Sequence, residues 1–207
     1  MATDDFLDDI IAFLDAQKDE CVVIHFRNDG IAADCKQPNP NEIDAMVGNA
    51  CVSSKGGLQW GRADLLQQSI AQLRSANTRL ICLNMSTKYD SYDDKAYATL
   101  KADPIIARFE GMSTSRQEGT DLTILQCQAT ATRIPQVVLY SVLTTDAATS
   151  CLTATKALLD LKTLPWIRDN ALGRLQADNP IVIMNDFVDG ATVDTAVSMS
   201  KTRLELA

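Results

Sequence analysis

The stretch QCQATATRIPQVVLYSVL, residues 126–143, is the most strand-like part of the chain. Its first half alternates Gln and Thr with Cys and Ala, which predicts a strand with one buried and one polar face. Its second half, from Val137 to Leu143, shows no alternation and predicts a strand covered on both faces. Pro135 separates the halves; because it has no amide hydrogen, it belongs at a strand start or on a sheet edge.

The residues before this stretch predict a helix and a hairpin. DDFLDDIIAFLDAQ, residues 4–17, has apolar residues at helical spacing. CVVIHF, residues 21–26, predicts a strand, and Asp29-Gly30 predicts a tight turn that returns the chain as a second strand over residues 31–35. We therefore expect the chain to begin with a helix followed by a hairpin.

The residues after it predict a helix and two further strands. Residues 146–161 carry apolar side chains along one side of a helix, and Pro165 opens a short helical turn. PIVIMNDF, residues 180–187, predicts a buried strand. Residues 192–206 predict a long polar strand whose apolar register shifts partway along, which implies a bulge or two different neighbours.

The fold class predicted is α+β, with an antiparallel or mixed sheet packed by amphipathic helices and a helical insertion. Residues 1–37 and 119–207 would form the core domain, and residues 38–118 the insertion. Within the insertion, Asn39-Pro40-Asn41-Glu42 has the form of a helix capping box with proline at the first helical position. RLICLNM, residues 79–85, predicts a short buried strand.

Composition narrows the classes of function. Of 207 residues, 46% are apolar and 22% charged, enough for a folded core in one domain. The net charge is −8 and Lys and Arg form no cluster, which disfavours a nucleic-acid face and docking on an anionic membrane. The N-terminus lacks a basic region and so predicts no signal peptide, and no apolar run approaches a membrane span. We expect synthesis in the cytosol, with reduced cysteines.

Residues of catalytic type occur without a recognisable motif. His25, the only histidine, lies inside a predicted strand, and the scattered cysteines lack zinc-ligand spacing. Lys55-Gly56-Gly57 lacks the spacing of a phosphate-binding loop. The acidic turn at residues 89–94 lacks calcium-loop spacing, and Trp166 favours internal packing over anchoring a partner. The sequence thus predicts no catalytic residue, metal ligand or cofactor site.

One group of polar residues favours an enzyme. Asn185, Asp186 and Asp189 lie at or just beyond the end of a predicted buried strand. Many α/β enzymes place catalytic carboxylates at such strand ends. Asp189-Gly190 is equally consistent with a plain turn before the next element, and both interpretations stay open.

The order of elements resembles that of the tail-terminator and neck proteins of tailed bacteriophages. The resemblance is carried by DDFLDDIIAFLDAQ, by VVLYSV leading into AATSCLTATKALLDL, and by IVIMNDFVDGATVDTAVSMSKTRLELA. It implies a small α+β domain with a helix packed on an antiparallel sheet. It also implies copies assembled into a hexameric ring, which ends the tail tube and meets the head-proximal connector.

Two functions are therefore predicted. The first is a non-enzymatic virion subunit that forms a ring with itself, contacts tail-tube and connector proteins, and lets DNA pass without specific binding. The alternative is a small cytosolic α/β enzyme or ligand-binding protein that uses Asp186 and Asp189 near the 53–61 loop; a host-directed viral binding protein is a third possibility. The residues predicted for the ring interface are Gln126, Gln128, Thr130, Thr132, Lys201 and Arg203.

Overall fold

The chain folds into two compact units, residues 1–88 and 89–207. The computed structural model describes residues 3–27, 35–90, 101–114, 120–128, 151–175 and 179–206, together with Leu139 and Leu143. Each unit has its own sheet and core, so the two are described separately.

The first unit is a three-stranded parallel sheet with helices packed on it. Its strands are β1 (Val22–His25), β2 (Gln59–Gly61) and β3 (Thr78–Leu83), in the order β1-β3-β2. Its helices are α1 (Thr3–Ala16), α2 (Pro40–Val52) and α3 (Ile70–Ser75), with a 3-10 turn at Ala63–Gln67. Because β3 lies in the centre and its side chains are buried from Arg79 onward, the sheet is anchored on this strand.

The core of this unit lies between the sheet and the helices α1 and α2. α1 buries residues at helical spacing, and α2 contributes two more apolar side chains. The predicted capping box is confirmed: Asn39 Oδ1 accepts from the Glu42 amide at 3.0 Å, and the Asn39 amide donates to Glu42 Oε2 at 2.9 Å. The main core residues are Leu7, Ile11, Leu14, Ile24, Ile43, Val47, Leu58, Leu80 and Cys82.

A buried arginine ties α1 to the sheet. Arg79 in β3 is only 1% exposed. Its guanidinium donates to the carbonyl of Leu14 in the last turn of α1, and to those of Gln17 and Glu20 beyond it, at 2.9 to 3.1 Å. Carbonyls at a helix C-terminus lack partners within the helix and carry partial negative charge, so a buried cation is well placed there.

The second unit is also built on a three-stranded parallel sheet. Its strands are β4 (Tyr89–Asp90), β5 (Leu122–Gln126) and β6 (Ile181–Met184), in the order β4-β5-β6. Its helices are α4 (Ala102–Thr114), α5 (Cys151–Arg174) and α6 (Gly190–Leu206). α5 packs against both α4 and α6, and Phe109 of α4 meets Trp166 of α5 with ring centroids 5.6 Å apart. Trp166 therefore packs internally, as predicted.

The prediction of mixed helices and strands is confirmed, but that of an antiparallel or mixed sheet is wrong for the pairs that the structure describes. Each of them is parallel. β1 pairs in parallel with the distant β3, and the predicted return strand of the hairpin lies almost entirely outside the described residues. Parallel pairing requires a long crossover, which no local sequence signal reports.

The predicted terminal strand over residues 192–206 is wrong, because this segment is the helix α6. Its buried side is formed by Thr192, Thr195 and Met199, at helical spacing. Thr195 Oγ1 donates to the Ala191 carbonyl, which satisfies its hydroxyl inside the packed face. Because threonines occupy the buried positions and valines lie on the exposed side, the apolar residues alone show no helical period.

The stretch 126–143 also departs from its prediction. β5 ends at Gln126 and is buried along its whole length, so it has no polar exposed face. Leu139 and Leu143 are helical and exposed, not part of a buried strand, while residues 129–138 lie outside the described part. The strand preference of β-branched and aromatic residues depends on their neighbours, and tertiary context outweighs it here.

The predicted segment boundaries differ from the compact units. Residues 38–118 were predicted to be an insertion, yet they supply β3, the central strand of the first sheet. Pro165 was predicted to open a separate helical turn, yet it lies inside the continuous helix α5. Pro165 removes one helical hydrogen bond, and the burial of its neighbours Leu164 and Ile167 offsets that loss.

The buried arginine yields a test of the first unit. Arg79→Met leaves the buried Leu14 carbonyl unpaired, and we expect it to lower the free energy of unfolding by about 1–3 kcal/mol. Arg74→Met is the matched control, since exposed Arg74 donates a single hydrogen bond to the Asp19 carbonyl. Urea unfolding of both variants measures the difference, and equal losses would contradict the role given to Arg79.

Candidate functional site

The polar residues that follow β5 and β6 meet at one edge of the second sheet. Because these strands are parallel, their carboxyl ends lie together, and Gln128 Nε2 donates to Asp186 Oδ1 at 2.9 Å. This edge is where open α/β sheets most often bind ligands. The predicted position of Asn185 and Asp186, just beyond a strand, is confirmed.

A buried lysine stands at the centre of this edge. Lys156 of α5 is 7% exposed, and its ammonium donates to Asp160 one turn along the same helix. It also donates to Asp189 Oδ2 at 2.8 Å. A buried ammonium is stable only with such partners. We refer to Lys156, Asp160, Asn185, Asp189 and Thr192 as the carboxyl-edge cluster.

Asp189 joins the cluster to the start of α6. Its Oδ1 accepts from the amide and from the hydroxyl of Thr192, both at 3.0 Å. This is the geometry of a helix N-cap, in which a carboxylate also meets the positive end of the helix dipole. Asp189 therefore has a structural role, as a cap, and a second role as the exposed partner of Lys156, with half of its side chain accessible.

Asn185 links the strand end to both helices. Its Nδ2 donates to Asp160 Oδ1 at 2.9 Å and to Thr192 Oγ1 at 3.1 Å. The contact with the carboxylate fixes the orientation of the amide. Asn185 Oδ1 is buried and accepts no hydrogen bond from the residues that the structure describes.

The cluster keeps its central charges fixed near neutral pH. The hydrogen bond from Lys156, followed by that from the Thr192 amide, lowers the pKa of Asp189 to about 2. Burial alone would lower the pKa of Lys156, but hydrogen bonds to Asp160 and Asp189 outweigh it and raise that pKa. Lys156 stays cationic and Asp189 anionic, which suits ion pairing and binding and is poor for proton transfer.

A groove opens beside the cluster, between α5 and α6. Its volume is about 610 Å³, within the usual range for small-molecule sites. It combines an apolar wall with charged groups, two cations and three carboxylates, a formal charge of −1. Its lining residues include Lys156, Ala157, Asp160, Leu161, Leu164, Pro165, Arg168, Asp189, Asp194, Thr195 and Ser198.

The loop between β6 and α6 is strained beside this groove. Phe187 has a positive φ of 52°, in the left-handed region that a bulky residue rarely adopts. Its aromatic side chain is more than half exposed, and the neighbouring Val188 is exposed too. Strained loop residues concentrate at binding sites, where the surrounding structure holds them in place.

The other candidates from the sequence do not gather into a catalytic group. His25 is half-buried in β1 with its backbone paired to Leu83. Tyr89 and Asp90 form β4, and the rest of the acidic turn lies outside the described residues. Burial raises the pKa of Cys82 to about 11 and that of Cys127 to about 12, so neither thiol is a nucleophile at neutral pH.

The predicted ring-interface residues fall in different settings. Gln126 is 3% exposed in the central strand β5, and Gln128 is half-buried against Asp186. Lys201 and Arg203 lie on α6, where Arg203 donates to the Asn179 carbonyl at 3.1 Å. Thr130 and Thr132 lie outside the described part of the chain.

Sequence reasoning missed Lys156 and Asp160. Their spacing, four residues apart on a predicted helix, is typical of a solvent-exposed ion pair. Only the packing of α5 against α6 buries the lysine and brings Asp189 to its ammonium. The sequence therefore indicates an ion pair between Lys156 and Asp160, but it does not indicate that this pair is buried.

Comparisons with protein families, with curated proteins and with solved structures find no match to this chain. Over the residues that the structure describes, no group of three or more His, Cys, Asp or Glu side chains is arranged to hold a metal ion. Within the same residues, no helix is long and apolar enough to cross a membrane.

The low pKa of Asp189 gives a pH test. A carboxyl whose pKa is lower in the folded than in the unfolded state stabilises the fold fully above about pH 4, and this contribution is lost as pH falls toward 2. We expect Asp189→Asn to flatten the loss of stability over that window. Asp186→Asn is the matched control and should keep the wild-type decline, measured by urea unfolding from pH 2 to 5. Identical curves for the two variants would contradict the Lys156–Asp189 pairing.

Proposed function

We propose that the second unit binds a small organic ligand in the groove between α5 and α6. The observation that supports this most directly is a groove of ligand size that reaches the Lys156–Asp189 ion pair at one end, next to the carboxyl ends of the parallel strands β5 and β6. A ligand in this groove would bury its apolar part against the apolar wall, while the polar groups at one end fix its orientation.

The lining indicates the chemistry of the ligand. Leu161, Leu164 and Pro165 offer apolar contact from α5, while Asp189 and Asp194 bring negative charge from the α6 side. Lys156 is already held by two carboxylates, and Arg168 by Asp169, so neither cation is well placed to attract an anion. A ligand with an apolar body and a cationic amine head fits this surface.

Binding is favoured over catalysis. General acid–base chemistry needs a group whose pKa lies near the working pH. The two central groups of the cluster have pKa values displaced away from neutrality, Asp189 downward and Lys156 upward. The proposal is accordingly for a ligand-binding protein, which is one form of the alternative function predicted from the sequence.

We test the groove with arylalkylamines of matched size, such as phenethylamine and tryptamine, against their alcohol and carboxylate analogues. We expect binding in the order amine, alcohol, carboxylate. Ser198→Trp, which fills the groove from α6, should abolish the amine signal. Ser200→Trp is the matched control on the same helix, because exposed Ser200 does not line the groove. Saturation-transfer NMR and calorimetry on the full chain provide the measurement.

An outcome in which carboxylates bind as well as amines would contradict the charge argument. Equal binding to the Ser198→Trp and Ser200→Trp variants would contradict the location. Neither result depends on knowing the natural ligand, because each compares matched probes or matched variants.

The ring-subunit prediction is tested by a separate measurement. Its resemblance implied an antiparallel sheet, whereas the described pairs are parallel, and its terminal strand is α6. Light scattering on the purified chain gives its mass in solution. A groove-binding protein is expected as a monomer or dimer, and a discrete species of about six copies, unaffected by Asp186→Asn, would favour the ring.

A further inference from the structure

The first unit contains a group of hydrogen-bond donors that the proposed function does not use. After α2 ends, the amides of Lys55 and Gly56 donate to the Asp15 carboxylate at 2.7 and 3.1 Å. Ser54 Oγ donates to the same carboxylate at 2.7 Å. We call Ser54, Lys55 and Gly56 the amide nest. Successive backbone amides that converge on one point form the kind of concavity with which proteins bind anions.

A side chain at position 56 would crowd the anion in the nest. A Cβ atom there would lie 2.7 Å from Asp15 Oδ1 and closer still to Lys18 Nζ. The next residue, Gly57, has a φ of +66°, which only glycine adopts without strain. The Lys55-Gly56-Gly57 segment therefore does meet an anion through its backbone, although its spacing matches no phosphate-loop pattern.

The carboxylate that fills the nest comes from an unfavourable place. Asp15 lies in the last turn of α1, where the helix dipole disfavours negative charge. Three donors and Lys18, whose Nζ is 3.6 Å from Asp15 Oδ1, offset that penalty. An external anion would gain the same contacts without being fixed at a helix C-terminus.

There is room for such an anion beside the nest. A groove of about 560 Å³ adjoins it, lined by residues of α1 and by Ser53, Lys55 and Gly56. Lys18 lines this groove with an exposed side chain, and Lys55 is exposed as well. Two lysines and two converging backbone amides are the kinds of group that recognise a phosphate.

We propose that the amide nest is a binding site for the phosphate group of a small soluble compound, and that Asp15 occupies it as an intramolecular competitor. Phosphate entering the nest displaces Asp15 and releases the end of α1 from the loop. The site lies in the first unit, so the experiment that tests it is independent of the experiment that tests the groove between α5 and α6.

The test is a titration of the full chain with inorganic phosphate at constant ionic strength, followed by the amide NMR signals of Lys55 and Gly56. In Asp15→Ala the competitor is gone, and we expect the phosphate Kd to fall at least about tenfold below that of the natural chain, a difference of roughly 1.4 kcal/mol. Asp8→Ala is the matched control: it removes an equal charge from the same helix and groove without touching the nest.

Two further variants keep the outcome decisive. Asp15→Asn preserves the shape of the side chain and removes its charge, but its amide oxygen can still accept from the nest, so we expect a smaller gain in affinity than in Asp15→Ala. It replaces Asp15→Ala if that variant unfolds. Adding Gly56→Ala to either variant puts a Cβ where the anion would lie and should abolish the gain in affinity. Equal affinities in the Asp15 and Asp8 variants, or phosphate shifts that bypass Lys55 and Gly56, would overturn the proposal.

Discussion

Parallel strand pairing is the constraint on which both units depend. A parallel pair cannot be closed by a tight turn, so the chain must cross over the sheet between strands. In the first unit, α2 and α3 lie between β1 and β3; in the second, α5 lies between β5 and β6. The same constraint brings the carboxyl ends of β5 and β6 to one edge, which is why residues 58 positions apart, Gln128 and Asp186, share a hydrogen bond.

Among the described residues, each unit buries one cation, and the partners of that cation define its role. Arg79 is surrounded by backbone carbonyls, which makes it a structural tie between sheet and helix. Lys156 is paired with carboxylates from two helices, one of them half exposed at a groove. Because removing one partner of a buried charge leaves the other uncompensated, both cations constrain the packing around them strongly. Of these two cations, Lys156 is the one that lines the groove between α5 and α6, which a ligand could enter.

The two proposed sites differ in the sign of the ligand that they favour. The groove between α5 and α6 carries a net negative lining with its cations already paired. The amide nest presents backbone donors and lysines, and its present occupant is a carboxylate of the same chain. In both, Asp side chains near helix ends take part: Asp189 caps α6 favourably, and Asp15 lies where a helix disfavours it.

Features that depend on neighbours along the chain could be predicted from the residue pattern. Local spacing predicted the helix α1, the capping box of α2, the buried strand β3 and the polar residues at the end of β6. It also predicted β6 as a buried strand, whereas the structure shows that strand only partly buried. The sequence also placed Asp189 at a turn before the last element, although it assigned that element to a strand.

Features that depend on distant partners became visible in the folded chain alone. Strand direction depends on the crossovers, so no local sequence signal reports it. The apolar residues of α6 show no helical period because Thr192 and Thr195 occupy its buried positions, where their hydroxyls are hydrogen-bonded. By sequence alone, Lys156 and Asp160 are a typical surface ion pair. In the structure, the packing of α5 against α6 excludes water from them. By sequence alone, Asp15 is one of several acidic residues in α1. In the structure, the loop after α2 brings the amides of Lys55 and Gly56 to its carboxylate. In each case the deciding factor is a contact between elements that are distant in the chain, which the residue pattern of a single helix or strand does not specify.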